Sequence, residues 1–292
     1  MGHGTFQAGE LTAVIGDNSE HENHRAGYNG VWSLQHQSGT RSLFVPGIAG
    51  LNFEHIVSGE GEENRDIFFE PRKAPMTYRK ISDTECELYQ PPTPTFHLES
   101  WTTFKMSPPH AIDMTFRCRP DQHAFNFGYI GLFWASYINA PADKSIYFRG
   151  GLPGQTRPLW SQFCSQMHNR DSTVRGVKDN FQMTFADDTR ETLYKSFSPM
   201  QFDTSMFYGN FDDHTFAVML KSDDGLIRLS HSPSGGGGNA ERETTNPAWD
   251  FQFIIPEYEV NAEYTLQARA IFREKCSRDE ILSEWEAWNA AK

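Results

Sequence analysis

The chain has 292 residues, 38 acidic against 26 basic, and a formal charge of −12. That balance argues against a nucleic-acid or anionic-membrane surface, because both need a positive field. Aromatics at 14% beside a charged fraction of 22% mark a globular chain rather than a disordered one, and no apolar run approaches a membrane span.

Residues 1–26 read as a polar N-terminal arm. MGHGTFQAGELTAV lacks a basic segment followed by an apolar one, so the expected location is cytoplasmic. Within the arm and just beyond it, GDNSEHENHRAGYNG sets His21 and His24 three apart. Two readings fit: a solvated loop, or a site loop in which His24, Arg25, Tyr28 and Asn29 touch a ligand. In the second, His21 and His24, with Glu20, Glu22 or a distant histidine, are a possible ligand pair for a divalent metal.

From Gly30 a β pattern begins. GVWSLQH alternates, Ser38-Gly39 makes a turn, and RSLFVP reads as the partner strand of a hairpin. In the next strand, LNFEHIV, Asn52 shares a face with Glu54. Glu54 and His55 are neighbours, so a regular strand points them to opposite sides and forbids a direct dyad. MTYRKI, CELY and FHLESWTTFKM follow as strands, the last after the stiff PPTPTF connection. AIDMTFRCRP has the cleanest alternation, with Ile112, Met114, Phe116 and Cys118 inward, the mark of an antiparallel sheet with one wet face.

The densest aromatic run is His123–Phe148. Phe125, Phe127 and Tyr129 alternate as on one face of a strand, and Gly128 and Gly131 interrupt them. Aromatic planes beside Ser136, Asn139 and Asp143 suit a sugar, which offers an apolar C–H face and a rim of hydroxyls; a plain core strand fits the same residues. FQMTF, FAVML, LIRLS, WDFQFII and AEYTLQARAIF read as the remaining strands, with Asp213 and His214 in the aromatic stretch between the first two. SRDEILSEWEAWNAAK ends the chain as an amphipathic helix over 277–292, opened by the capping-box spacing of Ser277 and Glu280.

Short strands, frequent turns and one helix predict an all-β fold: one large antiparallel β-sandwich spanning 1–292, with a C-terminal helix. The 4 cysteines are far apart, which excludes a zinc ribbon and a dense disulfide framework. Phosphate-loop, dinucleotide, nucleophile-elbow and HExxH motifs are absent from the sequence. Histidines and carboxylates remain as the chemical groups, since an imidazole moves protons near neutral pH and a carboxylate partners it.

The order of elements resembles the galactose-mutarotase-like supersandwich, the fold of aldose epimerases and related carbohydrate-active domains. The likeness covers most of 28–272. It rests on GYNGVWSLQH as opening strand, on AIDMTFRCRP, on the stretch from His123, and on WDFQFIIPEYEVNAEYTLQARAIF as closing pair. The family's His-Pro-Tyr-Phe-type motif is replaced here by DQHAFNFGYIG. The resemblance implies a sugar substrate and an isomerase or lyase acting by acid–base catalysis. Its expected proton carriers are His123 and His55, with Asp213 or Glu257 as carboxylate. Arg25, Asn29, Asn52 and Tyr129 are the expected positioners. The loops at 20–29, 121–129 and 207–214 would then bring His24, Tyr28, His123, Tyr129, Asp213 and His214 to one concave site beside His55. A non-catalytic carbohydrate-binding or assembly sandwich is the alternative.

Overall fold

In the computed structural model, residues 2–60, 65–155, 159–187, 189 and 192–291 are described. The chain opens with a small antiparallel sheet of β1 (His3–Ala8), β2 (Leu11–Gly16) and β3 (Gly30–His36). Two strands thus occupy much of the expected arm. Phe6, Leu11, Ala13 and Ile15 are buried, so the polar composition hides a short apolar alternation. Gly9 makes the turn between β1 and β2 with φ of +58°, and any side chain there would collide with the Pro109 carbonyl.

The hairpin expected after β3 does not form. Leu43 donates to the Leu34 carbonyl at 2.8 Å, and then Phe44 bridges to Ile138 instead. β2 pairs along one edge of β3, and the 41–46 segment makes only that single backbone bond to the strand.

The large sheet holds β4 (Asn52–Val57), β5 (Thr77–Lys80), β6 (Glu85–Gln90), β7 (Leu98–Ser107), β8 (Ala111–Pro120), β9 (Ile130–Ala135), β10 (Ile146–Gly151), β11 (Trp160–Phe163), β12 (Thr173–Gly176), β13 (Phe197–Phe211), β14 (His214–Lys221) and β15 (Leu226–Ser232). A short hairpin of β16 (Gly238–Asn239) and β17 (Thr244–Thr245) precedes its last strands, β18 (Ala248–Ile255) and β19 (Tyr264–Glu274). Along the sheet the order is β4-β9-β18-β15-β12-β13-β14-β19-β8-β7-β6-β5, with β10 on β13 and β11 on β10. Only the β12–β13 pairing in it is parallel among the described strands.

This long sheet folds over on itself. Phe53 of β4 lies 5.0 Å from Phe116 of β8 and 5.1 Å from Trp134 of β9, and Trp134 stacks 5.3 Å from Phe251 of β18. Strands remote in the order therefore face each other across an aromatic core, which makes the β-sandwich. Each such ring pair contributes about 0.5–1.5 kcal/mol beyond its area. The inward residues of β8 are those the alternation selects: Ile112, Met114, Phe116 and Cys118 are all buried.

Two strand readings change. The aromatic stretch is a turn before it is a strand: Gly128, at φ of +79°, donates to the Phe125 carbonyl at 3.0 Å, and β9 starts only at Ile130. FQMTF is not a strand, because no neighbouring strand pairs with it. Side chains hold it instead. Tyr129 donates to the Thr184 carbonyl at 2.8 Å, and the fully buried Arg228 donates to Asp179 at 2.6 and 3.1 Å and to the Phe181 carbonyl at 2.8 Å.

Two helical turns, α1 (Arg65–Phe68) and α2 (Glu70–Lys73), follow β4. The final helix, α3 (Arg278–Ala290), has the full capping box of Ser277 and Glu280. Ile281, Leu282, Trp285 and Trp288 pack on Met206, Met219 and Ile271 of the sheet.

Removing one partner of a buried ion pair leaves an uncompensated charge. Asp179→Ala is therefore expected to cost about 3–5 kcal/mol in chemical denaturation. A loss below about 1 kcal/mol would show that the Arg228–Asp179 pair is not what holds the 179–185 segment.

Candidate functional site

The site begins with one irregularity. Phe53 pairs with Trp134 and His55 with Phe133, so Glu54 is an extra residue, a β-bulge in β4. The bulge cancels the alternation that would separate Glu54 from His55. Glu54 Oε2 lies 3.7 Å from His55 Nε2, which corrects the expectation that the two cannot meet.

Both line a pocket of about 120 Å³ between β4, β9, β18 and the segments around His168 and Tyr194. Glu54 is fixed on two sides. The Tyr137 hydroxyl donates to Oε1 at 2.5 Å, and Arg72 Nη1 donates to the same oxygen at 2.9 Å. Arg72 comes from α2. Its guanidinium lies 4.0 Å from the centre of the Tyr28 ring, and its Nε donates to the Gly27 carbonyl at 2.9 Å. A planar cation held by a ring, a carbonyl and a carboxylate has little freedom left.

His55 is stacked on Phe133, 4.9 Å between centres, and meets Phe69 edge-on at 4.6 Å. Its Nδ1 is 2.5 Å from the Tyr194 hydroxyl, while Nε2 is buried without a hydrogen-bond partner. Burial pushes the imidazole down to about 4, so it is neutral at pH 7. The carboxylate beside Nε2 favours the proton there, which assigns Nδ1 as the acceptor of the Tyr194 O–H. Burial also drives the Tyr137 and Tyr194 hydroxyls well above their usual range, and both keep their protons.

Asp250 of β18 completes the set. It accepts from the Ser136 backbone N–H at 3.0 Å and lines the same pocket. Burial raises its carboxyl well above the usual carboxylate range, and the Glu54 charge adds to that. Burial thus favours the protonated form of Asp250, close to a carboxylate that has a guanidinium partner. Two carboxyls in unlike environments, beside a neutral imidazole, form an acid–base set. His168, held by Ser232 Oγ at 2.9 Å, stands at the pocket wall.

The residues selected from sequence fall into several places. His55 lines this pocket, and Tyr28 supports it from behind, edge-on to Tyr137 at 5.8 Å. Asn29 clasps the bulge: its Nδ2 donates to the Phe53 carbonyl at 2.8 Å, its Oδ1 accepts from Phe53 N–H at 3.1 Å, and its own N–H donates to Asn52 Oδ1 at 3.2 Å. Arg25 is exposed, 5.7 Å from the Tyr28 ring centre. The rest lie elsewhere. His123 is exposed in a separate pocket with His97. Tyr129 is engaged with Thr184, Glu257 is exposed after β18, and Asp213 and His214 line a third pocket with Ser38. The three loops therefore do not converge on one cleft, since strands that alternate in direction deliver their loops to both ends of the sandwich.

His21 and His24 pair through their backbones, at 3.1 and 2.7 Å. His24 stacks on Trp32 at 3.7 Å, and its Nε2 sits 2.6 Å from the Tyr28 carbonyl, which occupies that nitrogen. Among the described residues, no group of three His, Cys, Asp or Glu side chains is placed to hold a metal ion.

Sequence reasoning passed over Glu54 as a partner for His55, and missed Arg72, Tyr137, His168, Tyr194 and Asp250. One signal was available. In AWDFQFII, Asp250 is a lone carboxylate inside an apolar run, and a buried carboxylate demands a reason.

Protonating a buried imidazole opposes folding. The unfolded chain, with imidazoles near 6.5, takes up protons first as the pH falls, so stability is lost between about 6.5 and 4. His55 and His231 are both pushed down to about 4 by burial, and each costs on the order of 3 kcal/mol across that window. Asp250 acts in the opposite sense, because its raised carboxyl binds a proton more readily when folded. The comparison that isolates His55 is thus wild type against His55→Gln. Urea titrations at pH 7 and 4.5 should show a smaller acid loss in the variant; equal losses would contradict a neutral buried His55.

No family model matches this chain, and no curated protein sequence does. Among solved structures it is similar to the GalM/aldose epimerase homologue from C. elegans, with 8% identity over 94% of this chain and 100% of that one, at a TM-score of 0.53. It is also similar to a galactose mutarotase-like protein from Lactobacillus casei, with 9% identity over 93% of this chain and 100% of that one, at a TM-score of 0.50. The chain therefore has the galactose-mutarotase-like fold, as the order of its elements implied.

Proposed function

We propose that this chain is a carbohydrate-active enzyme of mutarotase-like type, performing general acid–base catalysis on a sugar in the pocket of Glu54, His55 and Asp250. The observation that carries the reading is that a buried Asp250, whose carboxyl burial pushes upward, lines the same pocket as a Glu54 carboxyl locked by Arg72 and Tyr137. A binding pocket has no need of two carboxyls in unlike surroundings, whereas proton transfer needs one group to give and one to take.

In this reading the anomeric hydroxyl gives its proton to the Tyr194 oxygen as the Tyr194 proton passes to His55 Nδ1 and the Nε2 proton to Glu54 Oε2. Asp250 gives its proton to the ring oxygen, the ring C–O bond breaks, and closure on the other face returns both protons. Phe69, Phe133 and Tyr194 supply the apolar wall for the C–H face of the sugar. The small volume, about 120 Å³, fits one ring better than a chain of them. The fold shared with an aldose epimerase homologue supports the same substrate class.

The test is anomer interconversion by polarimetry or NMR across a panel of free monosaccharides. Glu54→Gln, Asp250→Asn and His55→Gln are each expected to lower kcat by about 10²–10⁴-fold, with the fold intact by circular dichroism. His123→Ala, in its separate pocket, should leave turnover unchanged. Sugar binding without interconversion anywhere in the panel would replace catalysis with a binding role.

A further inference from the structure

A second cluster of chemically capable side chains lies at the pocket where Ser38, Arg41 and His214 meet, a space of about 500 Å³ with no residue in common with the sugar pocket. Ser38 is exposed, in the tight turn after β3. Its Oγ is 2.8 Å from His36 Nδ1. His36 is only 1% exposed, and its other nitrogen, Nε2, is 3.2 Å from Glu10 Oε2. A hydroxyl, an imidazole and a carboxylate thus stand in series, each in hydrogen-bond reach of the next. That is the arrangement by which a base activates a nucleophile and a third group orients the base.

The protons can be placed from the partners. Glu10 accepts the Nε2–H of His36, which leaves the Nδ1 lone pair facing Ser38. The Ser38 backbone N–H also points at that nitrogen, at 3.2 Å. His214 Nε2 is 3.0 Å from Ser38 Oγ and 3.2 Å from His36 Nδ1, so it serves as a donor. Burial and the neighbouring His36 lower His214, which keeps it neutral at pH 7. A neutral N–H beside the nucleophilic oxygen is suited to an oxygen that gains negative charge. Arg41 forms a fixed rim, paired with Asp212 at 2.7 and 2.8 Å and lying 4.1 Å from the Phe211 ring centre.

A serine held only for structure would need no buried imidazole, and a buried imidazole held only for structure would need neither a carboxylate behind it nor a second histidine on the same hydroxyl. We propose that Ser38, His36 and Glu10 form a second catalytic site that cleaves small carboxylic esters. Ser38 Oγ bonds to the ester carbonyl carbon as its proton passes to His36 Nδ1. The C–O bond to the alcohol then breaks, and that proton leaves with the alcohol. Water, deprotonated by His36, attacks the acyl-serine, and the acid is released with Ser38 restored. His214 donates to the carbonyl oxygen while it carries the charge.

The experiment uses the full chain with p-nitrophenyl acetate as substrate and a fluorophosphonate as covalent probe, the labelled residue being found by peptide mass spectrometry. Wild type is expected to hydrolyse the ester above buffer and to carry the label on Ser38. Ser38→Ala, an exposed change, should abolish the label and lower hydrolysis by at least 100-fold while leaving sugar turnover unchanged. Glu10→Gln should slow labelling about 10-fold or more without removing it. No label on wild type, a label on another residue, or equal hydrolysis by Ser38→Ala would overturn the proposal.

Discussion

One inserted residue in β4 sets the geometry of the Glu54–His55–Asp250 pocket. Without the bulge, Glu54 would point away from His55, and Phe53 would lose its seat between Phe116 and Trp134. The bulge is not free-standing. Asn29 holds the Phe53 backbone through both of its amide atoms, and Arg72 with Tyr137 holds Glu54 from outside. A bulge leaves a strand locally unpaired, so this clasp substitutes for ladder hydrogen bonds that the extra residue cannot make.

The same constraint explains why Arg72 comes from a helical turn rather than from a strand. A strand beside β4 would cover the bulge and close the pocket. The segment through α1 and α2 instead crosses the edge of the sheet, shields that edge from other chains, and brings Phe69 and Arg72 to His55 and Glu54.

Alternation made the outer strands legible. In β8 and β19 one face is wet, so period two appears directly in the residues, and the capping box announced α3. β13 escaped, because Pro199 and Gly209 sit in it and both argue against a strand. Gly209 has its own reason: a side chain there would collide with the Trp249 indole. FQMTF misled in the other direction. It has strand-like residues but no partner, and pairing is a property of the fold rather than of the segment. The site was less legible than the fold for the same cause. His55 stood out as a histidine in a strand, yet its partners come from β4, α2, β18 and the 192–194 segment, and a bulge leaves no signature in composition. His24, His123 and His214 looked equal to His55 by neighbourhood alone, and their company in the fold is what separates them.

Burying Glu54, His55, Tyr137, Tyr194 and Asp250 together opposes folding. A carboxyl that burial pushes upward and an imidazole that burial pushes downward are both displaced from what water prefers. His55 Nε2 is left without a hydrogen bond, which alone costs about 1–3 kcal/mol. The aromatic stack from Phe116 through Trp134 to Phe251 runs beside this cluster and offsets it, because those rings are wholly buried and packed in favourable pairs. Two strands that carry members of the polar set, β4 and β18, also carry rings of the stack, on opposite faces. Period two therefore serves both needs in one segment: Phe251 faces the core and Asp250 the pocket, each fixed by the other's position. A strand that can hold a buried carboxyl in place is one whose other face is fixed by packing, and that coupling is what makes an expensive polar cluster tenable in a β-sandwich.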